Sequence, residues 1–367
     1  MCESSAGGYG KRMRAEFSFP TRILFGAGSI VALPDRLAEF GVRMPLVVTD
    51  PGLRSTRAFS LFEQSLRGSW KLFADVKPNP TGDDVNAAAA AYAEGNCDGV
   101  IAIGGGSALD VAKLVRRSDE TAVVPFIAVP TTAGTGSEVG RSAVLIIDGR
   151  KQVIFDPNLL ADLVILDPQL TVDLPAKLTA ATGADALTHC IESFTSPVFH
   201  PMCEAIALEG IRCIADALPR AVKTPHDLEA RGRMQLAAMM GGVAFQKELG
   251  AVHSLAHPLS AVCGLHHGLA NALCLPAVMR FNAQRKPGLY ERIGEALRLH
   301  RTDDETVIAW VELLLRDIGI MRGLSAVGVE AGQLERLADQ AFDDGCHKTN
   351  AVPVTRDDLL RLYYKAM

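Results

Sequence analysis

Five of the nine histidines, His189, His253, His257, His266 and His267, fall close together in the second half of the chain, and an aspartate precedes them at Asp185. Asp185 and His189 stand four residues apart in a segment of helical periodicity, so both side chains leave one face, and His253 and His257 repeat the spacing. His267 follows ten residues after His257, beyond a break at Gly264. One carboxylate with several imidazoles suits a divalent first-row metal such as Fe or Zn better than Ca or Mg, and it is a catalytic type of ligand set. The run His253-Ser254-Leu255-Ala256-His257 lacks the glutamate of H-E-x-x-H, so a zinc-protease reading has no general base. Spacing alone leaves open a set of separate core or surface histidines.

A second kind of chemistry is written in glycine. Gly104, Gly105, Gly106 and Ser107 follow the apolar run Val100 to Ile103 and precede a helix-like run from Ala108 to Val115. Glycines there let backbone approach a phosphate, and a helix N-terminus offers free N–H groups. The spacing is not G-x-G-x-x-G, so a tight strand-to-helix turn is the alternative. A similar loop, Pro130 to Glu138, follows the next apolar run, Phe126 to Val129. In a parallel sheet both loops would sit at the carboxyl edge, where open α/β sheets bind ligands. Asp50 closes the run Leu46 to Thr49, where a carboxylate can hold a ribose diol and repel a 2'-phosphate, favouring NAD over NADP. A surface turn with Pro51 and Gly52 is the other reading of Asp50. Gly26-Ala27-Gly28 is a lone G-x-G without such context.

These residues need two kinds of scaffold. From about residue 22 to 175, short apolar runs alternate with helix-length segments, the pattern of strands crossing over into a parallel sheet. Strands are expected at Leu46 to Thr49, Gly99 to Ile103, Phe126 to Val129 and Leu163 to Leu166, with an Ala-rich helix through Val85 to Ala93. After Pro175 the apolar residues recur at three- and four-residue intervals, as in Leu178 to Phe194, Ala205 to Ala215, Asp227 to Ala244 and Asp304 to Asp317. The expectation is a Rossmann-like, doubly wound α/β domain over residues 15–175 that binds a dinucleotide. An all-α domain over 176–367 would carry the metal, with the ligand cleft between the two. Residues 1–14, Gly- and Ser-rich with Lys11, Arg12 and Arg14, read as a flexible tail lacking the apolar core of a secretory signal.

Bulk composition narrows the partners. With 48% hydrophobic and 22% charged residues in 367, the chain is neither disordered nor fibrous. A net charge of -5, with its cations dispersed, leaves no electrostatic footprint for nucleic acid or an anionic membrane. No window is long and apolar enough for a spanning helix. Eight scattered cysteines without a C-x-x-C pair suggest reduced thiols and a cytoplasmic setting, with Cys190, Cys213 and Cys274 as apolar filling.

Taken in order, several motifs resemble the iron-containing, group III alcohol dehydrogenases. They are Gly104 to Ser107 with Asp110 and Lys113, Pro130 to Glu138, Gly183 to His189, His253 to Pro258, and His267 to Ala272. The similarity runs from about Phe25 to the C-terminus. It implies a dehydroquinate synthase-like architecture and metal ligation by Asp185, His189, His253 and His267, with His257 beside the metal and nicotinamide as proton relay. It also implies dinucleotide contacts from Asp50, Asn79, Gly105, Gly106, Ser107, Thr131, Thr132 and Lys151, and a homo-oligomer such as a dimer. His266 has no role in the family pattern and reads as structural.

The resemblance further implies an NAD(H)-linked alcohol dehydrogenase or aldehyde reductase for a small primary alcohol or hydroxyacid. Fe2+ would be the metal, with Zn2+ the alternative; such an ion stabilises the alkoxide and so eases hydride loss. The chain departs from the pattern at Ser260, where many relatives have glycine, and over Ala244 to Gly250, usually small residues and asparagine. Lys247 in that segment is a candidate to face the cleft and pair with an anionic substrate end; a solvated lysine is its alternative. Other readings are a maleylacetate-reductase-like or glycerol-dehydrogenase-like enzyme, a dehydroquinate-synthase-like lyase, and a non-enzymatic metal or nucleotide sensor. The lyase would want a basic phosphate-binding cluster and a Glu-based metal site, and neither is evident.

Overall fold

The computed structural model describes residues 19, 21–117, 123–320 and 323–367; the tail expected at 1–14 lies outside the described residues. The first part runs β1 (Arg22–Phe25), α1 (Leu33–Glu39), β2 (Pro45–Val48), α2 (Pro51–Arg54), α3 (Arg57–Ser65), β3 (Lys71–Phe73), α4 (Gly82–Glu94), β4 (Gly99–Gly104), α5 (Gly106–Arg116), β5 (Phe126–Pro130), β6 (Ser142–Ile147), β7 (Arg150–Phe155) and β8 (Leu163–Leu166). The remainder is helical: α6 (Ala176–Thr195), α7 (Pro201–Lys223), α8 (Leu228–Ala244), α9 (Ala251–Cys263), α10 (His267–Arg285), α11 (Glu291–Ala296), α12 (Asp304–Asp317), α13 (Leu334–Asp343) and α14 (Arg356–Ala366).

Six strands form one parallel sheet in the order β1-β8-β5-β4-β2-β3. Their side chains alternate between two apolar layers. Leu46, Val48, Val100 and Ala102 pack with α4, α5 and part of α8, whereas Val47, Ile101, Ile103 and Ile127 pack with α1 and α3. Burial on both faces explains the uninterrupted apolar runs of the central strands. The chain moves outward from β2 to β3 and in the opposite direction from β4 to β5 and β8. A topological switch therefore lies between β2 and β4, where such sheets bind ligands.

All four expected strands are present, and the Ala-rich helix is α4, with a capping box of Thr81 and Asp84. Two edge strands and the antiparallel β6–β7 hairpin are additional. The helical expectations hold with small extensions: Asp227 and Asp303 cap α8 and α12 through their side chains. Gly264 ends α9 in the left-handed conformation at φ 67°. Among the described residues no helix is long and apolar enough to cross a membrane. Cys190, Cys213 and Cys274 are buried and unpaired, as apolar filling requires.

Candidate active site

Helix α6 presents Asp185, His189 and Glu192 at i, i+4 and i+7, one stripe of a helix that is buried nearly throughout. Helix α9 supplies His253 and His257, and α10 begins at His267. Gly268 lets α10 dock closely on α6, since a Cβ there would stand 2.2 Å from the Ala181 carbonyl oxygen. Ligand-type atoms of Asp185, His189 and His253 lie within 4.8 Å of one another. His267 Nε2 lies 3.7 Å from Asp185 Oδ1. The rings form a chain: His189 stacks on His253 at 4.7 Å between centroids, His253 meets His267 at 5.4 Å, and His267 stacks on His257 at 5.3 Å.

The surroundings set the properties of this cluster. Glu192 Oε2 lies 2.6 Å from His253 Nδ1, while Glu192 Oε1 accepts from the Val252 N–H at 2.7 Å. Burial works to lower the basicity of His253, but the bond to Glu192 and its charge outweigh it and raise the pKa. Glu192 thus fixes the ring so that Nε2 faces the other ligand atoms. Burial pushes His189 down to about 4 and His267 well below its ordinary value, so both are neutral donors at pH 7. His257 Nδ1 lies 2.8 Å from Asp344 Oδ2. Burial would raise the Asp344 carboxyl, but hydrogen bonds from His257, the Cys346 N–H and the Ser254 hydroxyl hold it far below the usual carboxylate range.

The residues fit a divalent cation. The Asn271 amide nitrogen sits at the centre, donating to Asp185 Oδ1 at 2.7 Å and lying 3.3 Å from His253 Nε2 and 3.2 Å from His267 Nε2. Three acceptor-type atoms thus converge on one small region. One carboxylate and three imidazoles match Fe, Zn and their first-row neighbours.

A cleft of about 1670 Å³ contains this cluster and every residue expected to contact a dinucleotide. Gly105 and Gly106 open α5 directly after β4, and the second loop packs on the first through Thr131 N–H to the Gly104 carbonyl at 3.0 Å. Ser107, Thr131 and Thr132 line the same wall. Asp50 combines both of its sequence readings: Oδ1 caps α2 by accepting from Leu53 N–H at 2.9 Å, and the residue borders the cleft beside Gly104. Asn79 lines the cleft with a left-handed φ of 55°. Lys151, on β7, lines the cleft, and burial holds it below its ordinary pKa against the opposing charges of Asp185 and Asp110. By contrast the Gly26–Gly28 turn does not border the cleft, and the carboxylate of Asp167 takes the Gly28 and Ile30 N–H groups.

The expectation for Lys247 is overturned. Its side chain is 2% exposed, with Nζ 2.9 Å from Glu204 Oε1 and donating to the Phe194 carbonyl at 2.9 Å. The turn Phe245–Lys247 directs it back between α6 and α7, so it is neither in the cleft nor solvated. Its neighbours Phe245, Gln246, Glu248 and Leu249 do line the cleft. Ser260 is buried on α9 and does not. Sequence reasoning missed Glu192, Asp344 and the cleft role of Arg141. Glu192 carried a signal in its helical spacing from Asp185 and His189; Asp344, 87 residues from His257, carried none.

An α/β nucleotide-type sheet joined to a helical part bearing metal-type donors defines the class. Within it, the model for "Iron-containing alcohol dehydrogenase" matches residues 20–168 and that for "Fe-containing alcohol dehydrogenase family, C-terminal" matches 179–367. The chain belongs to the iron-containing alcohol dehydrogenase family, and it is an alcohol-type oxidoreductase. It is 38% identical to a 4-hydroxybutyrate dehydrogenase of Cupriavidus necator, over 95% of this chain and 98% of the relative. A solved 1,3-propanediol oxidoreductase superposes with a TM-score of 0.91 at 33% identity, covering 96% of this chain and all of the other. Sulfoacetaldehyde reductase from Bifidobacterium kashiwanohense, solved in complex with NAD+, gives 0.88 at 28% identity, covering 97% and 99%.

Proposed function

We propose that this oxidoreductase is a metal-dependent, NAD(H)-linked alcohol dehydrogenase or aldehyde reductase for a small primary alcohol or hydroxyacid. The observation that carries the reading is the convergence of Asp185, His189, His253 and His267 in the same cleft as both glycine-rich loops. Those four residues would hold Fe2+, or alternatively Zn2+. Asp50, Asn79, Gly105, Gly106, Ser107, Thr131, Thr132 and Lys151 would hold the dinucleotide. The names of the relatives support small hydroxylated or aldehydic substrates, and the NAD+ in one solved neighbour supports the cofactor. A cytoplasmic homo-oligomer belongs to the same proposal.

When bound, the metal supplies Lewis acidity at the substrate oxygen and nicotinamide supplies or accepts the hydride. The chain does the rest. Asp344 fixes the His257 ring through Nδ1, which leaves Nε2 for the cleft and makes His257 a proton relay for the alcohol hydroxyl. Gly105 and the α5 N-terminus would offer N–H groups to a pyrophosphate. Asp50 would accept from the ribose hydroxyls and repel a 2'-phosphate, favouring NAD.

The test is NADH oxidation by protein reconstituted anaerobically with Fe(II) or Zn(II), against neutral and carboxylate-bearing aldehydes, with NADPH in parallel. We expect metal-dependent turnover that Asp185→Ala abolishes together with stoichiometric metal binding. Bound metal without oxidation of either nucleotide on any aldehyde would reject the dehydrogenase.

A further inference from the structure

Among the described residues, three cationic side chains other than histidine stand on the wall of the cleft: Lys77, Lys151 and Arg141. The first two have acidic neighbours, Asp84 at 3.8 Å from the Lys77 ammonium and Asp185 and Asp110 within electrostatic range of Lys151. Arg141 has none within ion-pair distance among the described residues. The guanidinium makes one hydrogen bond, from Nη2 to Gln246 Oε1 at 3.3 Å, and lies over the Phe155 ring at 5.4 Å. The carboxylate nearest to it along the chain pairing, Asp156, is taken by Arg117 at 2.9 Å, although the Asp156 N–H donates to the Arg141 carbonyl. Two cleft acids are also spoken for: Asp343 by Arg150 and Asp344 by His257.

The position of Arg141 relative to the metal-ligand cluster follows from Phe245. The Phe245 ring meets His189 edge-on at 5.5 Å between centroids, and its Cζ lies beside Gly140, where a Cβ would be 3.4 Å away. Arg141 bonds Gln246, the residue that follows Phe245 in the chain, and so stands on the cleft wall made by Gln246 and Phe155. A half-covered guanidinium that gives one Nη2 proton to Gln246 keeps its second Nη2 proton and those of Nη1 and Nε, so one edge of the fork can still meet a planar oxyanion at two points. Gln246 steadies the fork from its far side by also donating to the Val243 carbonyl at 3.2 Å.

We infer that Arg141 is the receptor for an anionic head at the end of the substrate remote from the reacting carbon. The enzyme then selects short ω-hydroxy acids and their aldehydes, with carboxylate or sulfonate as the head, over neutral alcohols of equal length. This gives Arg141 the role that Lys247 cannot take. The inference rests on the alcohol dehydrogenase reading for the reacting end, and Arg141 acts as a specificity residue that touches only the distal group.

The experiment compares metal-loaded wild type, Arg141→Gln and Arg141→Lys on three aldehydes of matched length, with carboxylate, sulfonate and methyl ends. Calorimetric binding of butanoate, propanesulfonate and butanol to the same proteins in the presence of NADH accompanies it. Wild type should favour an anionic aldehyde. In Arg141→Gln the ratio of kcat/KM for anionic over methyl-ended substrate should fall on the order of 10- to 100-fold, mostly through KM, with partial recovery in Arg141→Lys. Which anion loses more identifies the head. An unchanged ratio overturns the inference, as does an effect confined to KM for NADH, which would make Arg141 a cofactor contact. If no aldehyde turns over, the dehydrogenase reading fails separately, and loss of butanoate or propanesulfonate binding in Arg141→Gln still decides the anion site.

Discussion

At the scale of single residues, the chemistry of this chain depends on partners that spacing does not reveal. The convergence of Asp185, His189, His253 and His267 was legible because helical periodicity placed Asp185 and His189 on one face and a family resemblance joined His253 and His267 to them. The groups that aim them came only from the fold: Glu192 reaches His253 across 61 residues, and Asp344 reaches His257 across 87. Lys247 shows the opposite failure, for a lysine six residues before a candidate ligand read as a cleft residue until its bonds to Glu204 and Phe194 placed it in the interior. A prediction follows for Asp344. Asp344→Asn keeps the shape and can still bond His257, but it removes the carboxylate acceptor at Nδ1 and can leave the imidazole in the wrong tautomer. We expect kcat to fall about 10- to 100-fold, with metal content and KM for NADH little changed. A parallel loss of metal would show that Asp344 serves the metal site instead.

At the scale of elements, central strands and long helices were readable because burial writes a continuous apolar run or a 3.6-residue stripe into them. The edge strands β1 and β3 and the β6–β7 hairpin were not: they are short or half exposed, and Val153 and Phe155 remain largely uncovered. Arg141, next to β6, was overlooked with that hairpin. Element contacts also decide where the candidate ligands meet. Helix α10 lies on α6 through Gly268, which is buried against the Ala181 carbonyl and the Asp185 side chain. Gly268→Ala must push the helices apart or tilt α10, and His267 is the residue next to the contact. Metal affinity should therefore drop at least tenfold, with only modest loss in the Tm of the metal-free protein, since the rest of the α6–α10 contact survives. Competition against a chromophoric chelator and thermal melts of the apo-protein separate the two; equal loss of both would make Gly268 a packing residue alone.

At the scale of the whole molecule, the two parts meet through loops that carry buried charge. Gly136, at φ 63°, lies against Gly242 of α8 so closely that a Cβ on either would stand 2.6 Å from the other's backbone. This contact brings the second glycine-rich loop onto the helical part. Immediately after it Glu138 is buried near Lys113, whose Nζ donates to Ser137 Oγ at 2.8 Å and the Ser142 carbonyl at 2.7 Å, with Asp110 3.8 Å away. Two acids share one ammonium there, and burial pushes Glu138 up to about 7. Because this folded-state value lies above the usual carboxylate range, the folded protein holds a proton that the unfolded chain releases. The associated stability is fully present below about pH 4.5 and is lost as pH rises through about 7. His189, lowered to about 4, works in the other direction, so the wild-type curve alone is a sum of opposing slopes. Glu138→Gln removes one contribution and leaves the other. The Tm of the variant minus that of wild type should increase from pH 5 to pH 8 by a few °C and level off above that range. A difference that stays flat across the range would mean that Glu138 is already ionised at pH 5 and that Lys113 carries the charge balance instead.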